Sequence, residues 1–152
     1  MRIAASQFDV NTSTLEIYVS GCSRACPGCH NLALQDFKIG TTYLEYMPRL
    51  SYQLSKPFVD NIVIMGGEPL EQGRVNLEDL IKRLKSFNKY YERKLGIFTG
   101  FEFEEVPHWI KSNVDYIKCG RYDEELRSDS YISNGIQLAS TNQHVYMRGV
   151  DY

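Results

Sequence analysis

The segment Cys22-Ser-Arg-Ala-Cys26-Pro-Gly-Cys29 crowds three thiols into one short loop of a 152-residue chain. The spacing is C-x3-C-x2-C, so three thiolates come from one place and a fourth ligand position stays open. A closed structural zinc site takes four protein ligands, commonly as two C-x2-C pairs. A [4Fe-4S] cluster also normally takes four cysteines. Three thiolates on one loop therefore point to a cubane with one iron left open, and an open iron can bind a substrate. Pro27 and Gly28 suit a tight loop, because proline fixes its own φ and glycine permits close backbone approach. Zinc is the rival, with His30 or Cys119 as its fourth ligand. Against that, His30 directly follows Cys29, and adjacent residues seldom both turn toward one tetrahedral ion. Buried, unligated thiols are the inert reading.

Composition narrows the setting. The length suits one domain, residues 1–152, able to bury about 68–70% of its unfolded surface. Hydrophobic residues make up 43% of the chain and the formal net charge is −2. No basic stripe stands out, so neither nucleic acid nor an anionic membrane is an expected partner. Apolar runs such as Asn61–Met65 are far too short to span a bilayer. Four cysteines allow two disulfides in a secreted protein, but clustered cysteines in an intracellular chain more often bind metal. The start, Met1-Arg-Ile-Ala-Ala-Ser, lacks the long apolar region of a secretory signal, and the cytoplasm is the expected address.

Along the chain, strand and helix patterns alternate. Leu15–Val19 is β-rich and runs directly into Ser20-Gly21-Cys22. Tyr43–Leu54 reads as a helix ending before Lys56-Pro57. Asn61–Met65 is continuously apolar, as a buried parallel strand is, and Gly66-Gly67-Glu68-Pro69 breaks it. A second helix follows, with Asn76 as N-cap, Glu78 and Asp79 in its first turn, and Leu77, Leu80, Ile81, Leu84 and Phe87 as its apolar face. Its basic end, Lys85 to Lys94, suits the negative pole of the helix dipole. Leu95–Thr99 is a strand ending at Gly100. Glu102–Lys111 is a short helix with Pro107 near its middle or at a break. Val114–Lys118 is a strand ending at Cys119-Gly120. From Arg121 the pattern is irregular, with final strands expected at Gly135–Leu138 and His144–Arg148.

Alternation of this kind implies βαβ units and a parallel α/β sheet. The distinctive loops (Cys22–Cys29, Gly66–Pro69, Thr99-Gly100, Cys119-Gly120) all fall at carboxyl ends of expected strands, the edge where α/β active sites collect. There are too few units for an eight-stranded barrel, so a partial, open barrel is expected.

Gly66-Gly67-Glu68-Pro69 alone is a weak signal, since a glycine pair at a strand end is often only a turn and Glu68 a solvated carboxylate. Read functionally, the glycines let a ligand approach the backbone, Glu68 accepts hydrogen bonds from a cationic group, and Pro69 holds the turn. His108 and His144 lack ligand-spaced companions and read as surface or satisfied core residues. Cys119 reads as a buried thiol, with a redox role in partner activation as the alternative.

Taken together, Cys22-x3-Cys26-x2-Cys29 and the later Gly66-Gly67-Glu68-Pro69 resemble a radical S-adenosylmethionine enzyme. Within that superfamily, Tyr18–Cys22 through Cys26-Pro-Gly-Cys29-His30-Asn31 resembles the activating proteins of anaerobic ribonucleotide reductase. So do Ala139-Ser-Thr-Asn142-Gln143, Asp115–Gly120 and Tyr122. His30 stands where that family more often has tyrosine. The resemblance implies a compact partial β/α barrel in which Cys22, Cys26 and Cys29 ligate three irons. The fourth iron would hold the amino and carboxylate groups of S-adenosyl-L-methionine. Gly66, Gly67 and Glu68 would contact its methionyl amine, Gly28 and His30 would lie beside the adenine or the cluster, and Thr99 and Gly100 would join the ligand pocket.

The resemblance further implies an oxidoreductase that cleaves S-adenosylmethionine reductively and installs a glycyl radical on the large subunit of an anaerobic ribonucleotide reductase. Reduced flavodoxin or a similar donor would supply the electron. No side chain need act as acid or base. An activator of another glycyl-radical enzyme, such as pyruvate formate-lyase, is the nearer alternative; a non-catalytic metal-binding module is the alternative of another class.

Overall fold

Four apolar strand patterns line up in the order in which the chain presents them. The protein is described here as a computed structural model covering the backbone of residues 1–152 and all side chains except that of Lys89. The strands are β1 (Arg2–Asp9), β2 (Thr14–Ser20), β3 (Thr41–Thr42), β4 (Asn61–Gly66), β5 (Lys94–Phe98), β6 (Tyr116–Cys119), β7 (Ile132–Ser133), β8 (Ile136–Gln137) and β9 (His144–Met147). The helices are α1 (Tyr43–Leu54), α2 (Arg74–Ser86) and α3 (His108–Lys111). A seven-stranded sheet runs β3-β1-β2-β4-β5-β6-β9, and β7 and β8 pair apart from it. β2, β4, β5 and β6 are mutually parallel neighbours. Antiparallel strands flank them, β1 on one side and β9 on the other.

The α/β class and the mostly parallel sheet expected from the sequence are present, and the sheet is open, with β3 and β9 as its edges. Sequential parallel strands joined by right-handed crossovers put every connecting helix on one face. The core shows this directly. Leu15, Ile17, Val19, Ile62, Ile64, Leu95, Ile97 and Ile117 share one buried cluster with Leu50 and Leu54 of α1, Leu77, Leu80, Ile81 and Leu84 of α2, and Ile110 of α3. The alternate strand residues face the other side, where Tyr116 and Val145 pack with Leu138 and, partly buried, Phe98, Tyr131, Ile136 and Met147. The β7–β8 hairpin thus covers the face that the helices leave bare. Polar bonds add to this packing: the Val145 N–H donates to Ser133 Oγ at 3.0 Å, and Asn134 Nδ2 donates to the Val145 carbonyl at 2.6 Å.

α1 matches its expected bounds because Thr42 and Glu45 form a capping box at its start. α2 departs from expectation. It begins at Arg74 with Gly73 (φ 79°) as N-cap, so Asn76 lies inside the helix. The reason is the preceding turn, Pro69–Glu71, which runs almost straight into the helix and lets the Leu77 N–H reach the Gly73 carbonyl at 3.2 Å. Glu78 and Asp79 consequently fall beyond the first turn and pair along the helix with Arg74, Lys82 and Arg83. The basic run also divides: α2 stops at Ser86, a 3-10 turn spans Phe87–Tyr90, and Lys94 opens β5. Pro107 does break its segment, leaving a 3-10 turn at Phe103–Glu105 and the short α3. The strand expected from Val114 starts at Tyr116. No helix among the described residues is long and apolar enough to cross a membrane.

Gly96 shows why one strand position must lack a side chain. It pairs with Tyr116 across the parallel ladder. A Cβ there would meet the Tyr116 ring at 2.2 Å, and Tyr116 is buried, at 5% exposure, with little room to move. Gly96→Ala is expected to lower stability by about 1–3 kcal/mol through overpacking. A denaturant midpoint that falls at constant m-value would show it; an unchanged midpoint would mean the ring yields freely.

Candidate metal centre

The parallel strands carry their loops to one edge. β2 ends at the cysteine loop, β4 at Gly66–Pro69, β5 at Thr99-Gly100 and β6 at Gly120–Tyr122. Cys22, Cys26, Cys29, His30, Gly66, Gly67, Glu68, Thr99 and Gly100 all line a single cavity of about 290 Å³ at that edge. This volume lies near the lower end for small-molecule sites, about 300 Å³. Gly28 is the exception. It stands outside the cavity at φ 71°, where a Cβ would fall 2.1 Å from Glu124 Oε2 and 3.2 Å from the Tyr122 ring. Its glycine identity is required by the protein's own loop packing.

The three cysteines are free thiols of intermediate exposure. Desolvation pushes the Cys22 thiol up from its ordinary value, the Arg24 backbone N–H draws it down, and the carboxylates of Glu71 and Glu68 add to the rise. A coordinated metal overrides such a shift, because it deprotonates the thiol outright. Among the described residues no group of three His, Cys, Asp or Glu side chains converges on a point where one metal ion would sit. A cubane asks for something different, three thiolates each on its own iron, and three part-exposed thiols lining one cavity are a donor set of that kind. Cys119 lies elsewhere. It is 2% exposed in the helix-side core, and burial pushes its thiol up to about 12.

Gly66 and Gly67 have a physical requirement of their own. Gly66 sits at φ 108°, and a Cβ on Gly67 would lie 2.6 Å from the Gly21 carbonyl oxygen. The pair lets the β4 end cross the root of the cysteine loop, where the Gly67 N–H donates to the Val19 carbonyl and the Glu68 N–H to the Gly21 carbonyl, each at 2.8 Å.

Glu68 is 2% exposed. Its Oε1 accepts from the Leu70 N–H at 3.0 Å and Thr99 Oγ1 at 2.7 Å, and its Oε2 accepts from the Gly100 N–H at 2.8 Å. Burial raises the Glu68 carboxyl, while these bonds and the Arg24 charge pull it back. The carboxylate therefore ties the β4 end to the β5 end, and Oε2 accepts one hydrogen bond where Oε1 accepts two.

Several lining residues are ones that the sequence analysis did not assign to the site. Arg24 lies over the Phe101 ring at 4.3 Å. Lys118 donates to the Gly120 carbonyl at 3.1 Å, and desolvation draws its ammonium down to about 8 against the pull of Glu68. Tyr122 packs on His30 with ring centroids 4.7 Å apart. Arg24 and Lys118 bring positive charge into the cavity, which suits a ligand carrying a carboxylate. The Ser140–Gln143 segment is a brace. Gln143 Nε2 donates to the Gly120 carbonyl at 3.2 Å, and Asn142 Nδ2 to the Arg121 carbonyl at 3.0 Å. His108 and His144 pair with Ser112 and Ser133, away from the cavity.

Residues 13–146 match the 4Fe-4S single cluster domain family. The chain belongs to that family. An iron-sulfur cluster is accordingly the group that this 4Fe-4S single cluster domain is built around. The chain is also similar to two proteins named anaerobic ribonucleoside-triphosphate reductase-activating protein. That of Haemophilus influenzae is 24% identical over 86% of this chain and 84% of the relative. That of Escherichia coli K12 is 26% identical over 86% of this chain and 85% of the relative. A Methanocaldococcus jannaschii protein, whose name assigns it to the glycyl-radical enzyme activating enzymes, is 31% identical over 76% of this chain and 44% of its own length. These relatives agree with the resemblance read from the motifs. No solved structure matches the chain significantly.

Proposed function

We propose that this chain activates an anaerobic ribonucleoside-triphosphate reductase, with Cys22, Cys26 and Cys29 holding a [4Fe-4S] cluster and the adjoining cavity receiving S-adenosyl-L-methionine. The observation that carries this reading is the convergence of the cysteine loop, Gly66–Glu68 and Thr99-Gly100, from three different strand ends, on one cavity. The names of the relatives support activation of a glycyl-radical enzyme. A cluster held by Cys22, Cys26 and Cys29 would supply, when reduced, the electron for reductive cleavage of S-adenosylmethionine, the chemistry needed to take hydrogen from a glycine Cα of the reductase.

The chain's own residues orient and shield. Glu68 offers Oε2 to an ammonium group, and Lys118 and Arg24 face a carboxylate. Holding the ligand in the cavity beside the cysteine loop would be a proximity effect, worth about 7–11 kcal/mol in favourable cases. The partial barrel of the radical S-adenosylmethionine type is part of the proposal, with the open strand-end side admitting an extended glycine loop. Electron supply by reduced flavodoxin or a similar donor is also part of it.

Incubating the reduced, anaerobically reconstituted protein with S-adenosylmethionine and its cognate reductase is expected to yield a glycyl doublet by electron paramagnetic resonance. Replacing the reductase glycine with alanine should remove it. A doublet that forms only with pyruvate formate-lyase would move the assignment to that class of partner. Absence of any S-adenosylmethionine cleavage by a protein with full iron and sulfide content would reduce the chain to a metal-binding module.

A further inference from the structure

The cysteine loop is bonded to the turn after β4 at four points within three residues of itself. Gly21 accepts through its carbonyl from the Glu68 N–H at 2.8 Å and from Gln72 Nε2 at 3.0 Å. Ser23 gives both its donors to one carboxylate: its N–H to Glu71 Oε2 at 2.7 Å and its Oγ–H to Glu71 Oε1 at 2.7 Å. Two hydrogen bonds to the two oxygens of an ionised group fix direction as well as distance. Ser23 follows Cys22, whose own N–H is held by the Gln35 carbonyl at 3.2 Å. The first thiol thus has a fixed backbone on both sides, whereas Cys26 and Cys29 are joined to each other through the Cys29 N–H and the Cys26 carbonyl at 3.2 Å.

We propose that Glu71 is a positioning residue of the cluster: its carboxylate clamps Ser23 so that Cys22 is presented ready to bind iron, and its negative charge beside that thiolate lowers the cluster's reduction potential. The inference rests on the cluster reading of the cysteine loop and adds a residue outside the three thiols and the Gly66–Pro69 turn. Groups outside the ligand set orient ligands and tune a metal site, and their loss typically costs about 10–100-fold in metal affinity or activity. The electrostatic part follows from sign. Reduction adds a negative charge to the cluster, so a nearby carboxylate disfavours the reduced state. With the Glu71 side chain absent, the Ser23 N–H is also freed to donate toward sulfur, which stabilises the reduced state further. Both effects push the potential the same way, upward.

The test compares wild type, Glu71→Gln, Glu71→Ala and Ser23→Ala after anaerobic reconstitution with iron and sulfide. Readouts are iron loss to a chelator and the midpoint potential from titrations followed by electron paramagnetic resonance. Glu71→Gln keeps the shape and an acceptor, so it should load iron but show a more positive potential than wild type. Glu71→Ala should hold iron about 10–100-fold less tightly against the chelator. Ser23→Ala retains the charge and the backbone bond, so its potential should stay near wild type while its iron loss is intermediate. Equal potentials for wild type and Glu71→Gln, or equal iron loss for wild type and Glu71→Ala, would overturn the proposal. Failure of wild type itself to take up iron would instead sink the cluster reading, and so separates the two.

Discussion

Replacing Cys22, Cys26 or Cys29 with alanine is expected to abolish retention of the iron-sulfur cluster, whereas Cys119→Ala should leave iron and sulfide content near that of wild type. The contrast is geometric. The three loop thiols are part-exposed at the wall of one cavity, while Cys119 is buried in the helix-side core among apolar residues. If the three thiols hold the cluster as proposed, losing one would leave it with two protein ligands. Losing the Cys119 thiol removes only a small buried group, for which a stability cost of about 1 kcal/mol is the ordinary expectation. Iron and sulfide counting after anaerobic reconstitution checks both halves. Iron loss in Cys119→Ala as complete as in Cys26→Ala would overturn the three-cysteine assignment. The same alanine variants should lose S-adenosylmethionine cleavage.

The second large effect is expected at Glu68. Glu68→Ala strips the acceptor from the Leu70 N–H, the Thr99 hydroxyl and the Gly100 N–H together. Leaving a buried donor unsatisfied costs about 1–3 kcal/mol, so a loss of about 3 kcal/mol or more is expected in the protein without any ligand. Glu68→Gln is the milder change, because one side-chain oxygen still accepts while the new amide faces a donor. It should assemble the cluster yet bind S-adenosylmethionine more weakly by about 1.5–3 kcal/mol, the range for a lost hydrogen bond to a charged group. Urea unfolding of the apo-protein reads the first effect and calorimetry on the reconstituted variant reads the second. A wild-type unfolding midpoint in Glu68→Ala would contradict the strand-tying role. Unchanged binding in Glu68→Gln would leave the carboxylate with that structural role alone.

The two effects at Glu68 explain why the residue looked ambiguous in sequence. A glutamate after two glycines can be a solvated turn residue or a ligand contact. In the folded chain most of its hydrogen-bonding capacity is spent on the ends of β4 and β5, and only the remainder is available to a ligand.

How much was legible beforehand follows from the range of the interactions involved. Period and composition are local properties, so Tyr43–Leu54, Asn61–Met65 and Leu95–Thr99 could be read as elements from their own residues. The placing of the distinctive loops at strand ends was readable for the same reason, and parallel order then brought those ends to one edge. β1 was not foreseen. Its run Ile3-Ala-Ala-Ser-Gln-Phe8 is rich in small and polar residues, and its ladder with β2 shifts register between Ile3 and Ala5, which blurs the period of two. The N-cap of α2 was misplaced because Gly73 starts the helix through a backbone conformation rather than a capping side chain.

The site's bracing was beyond reach of any local pattern. Ser23 meets Glu71 48 residues away, Gln72 meets Gly21 51 residues away, and Gln143 meets Gly120 23 residues away. Nothing near Ser23 in the chain marks Glu71 as its partner. That pairing exists only because the parallel register sets Val19 opposite Gly66 and so delivers both loops to the same place. The amino-acid sequence by itself determined the grouping of three thiols on one loop after a strand and the alternation that makes a parallel sheet. Tertiary structure alone decided which carboxylates grip that loop, which cations face the cavity and that Gly28 and Cys119 stand outside it, because contacts between distant residues are fixed by strand register and crossover rather than by local sequence.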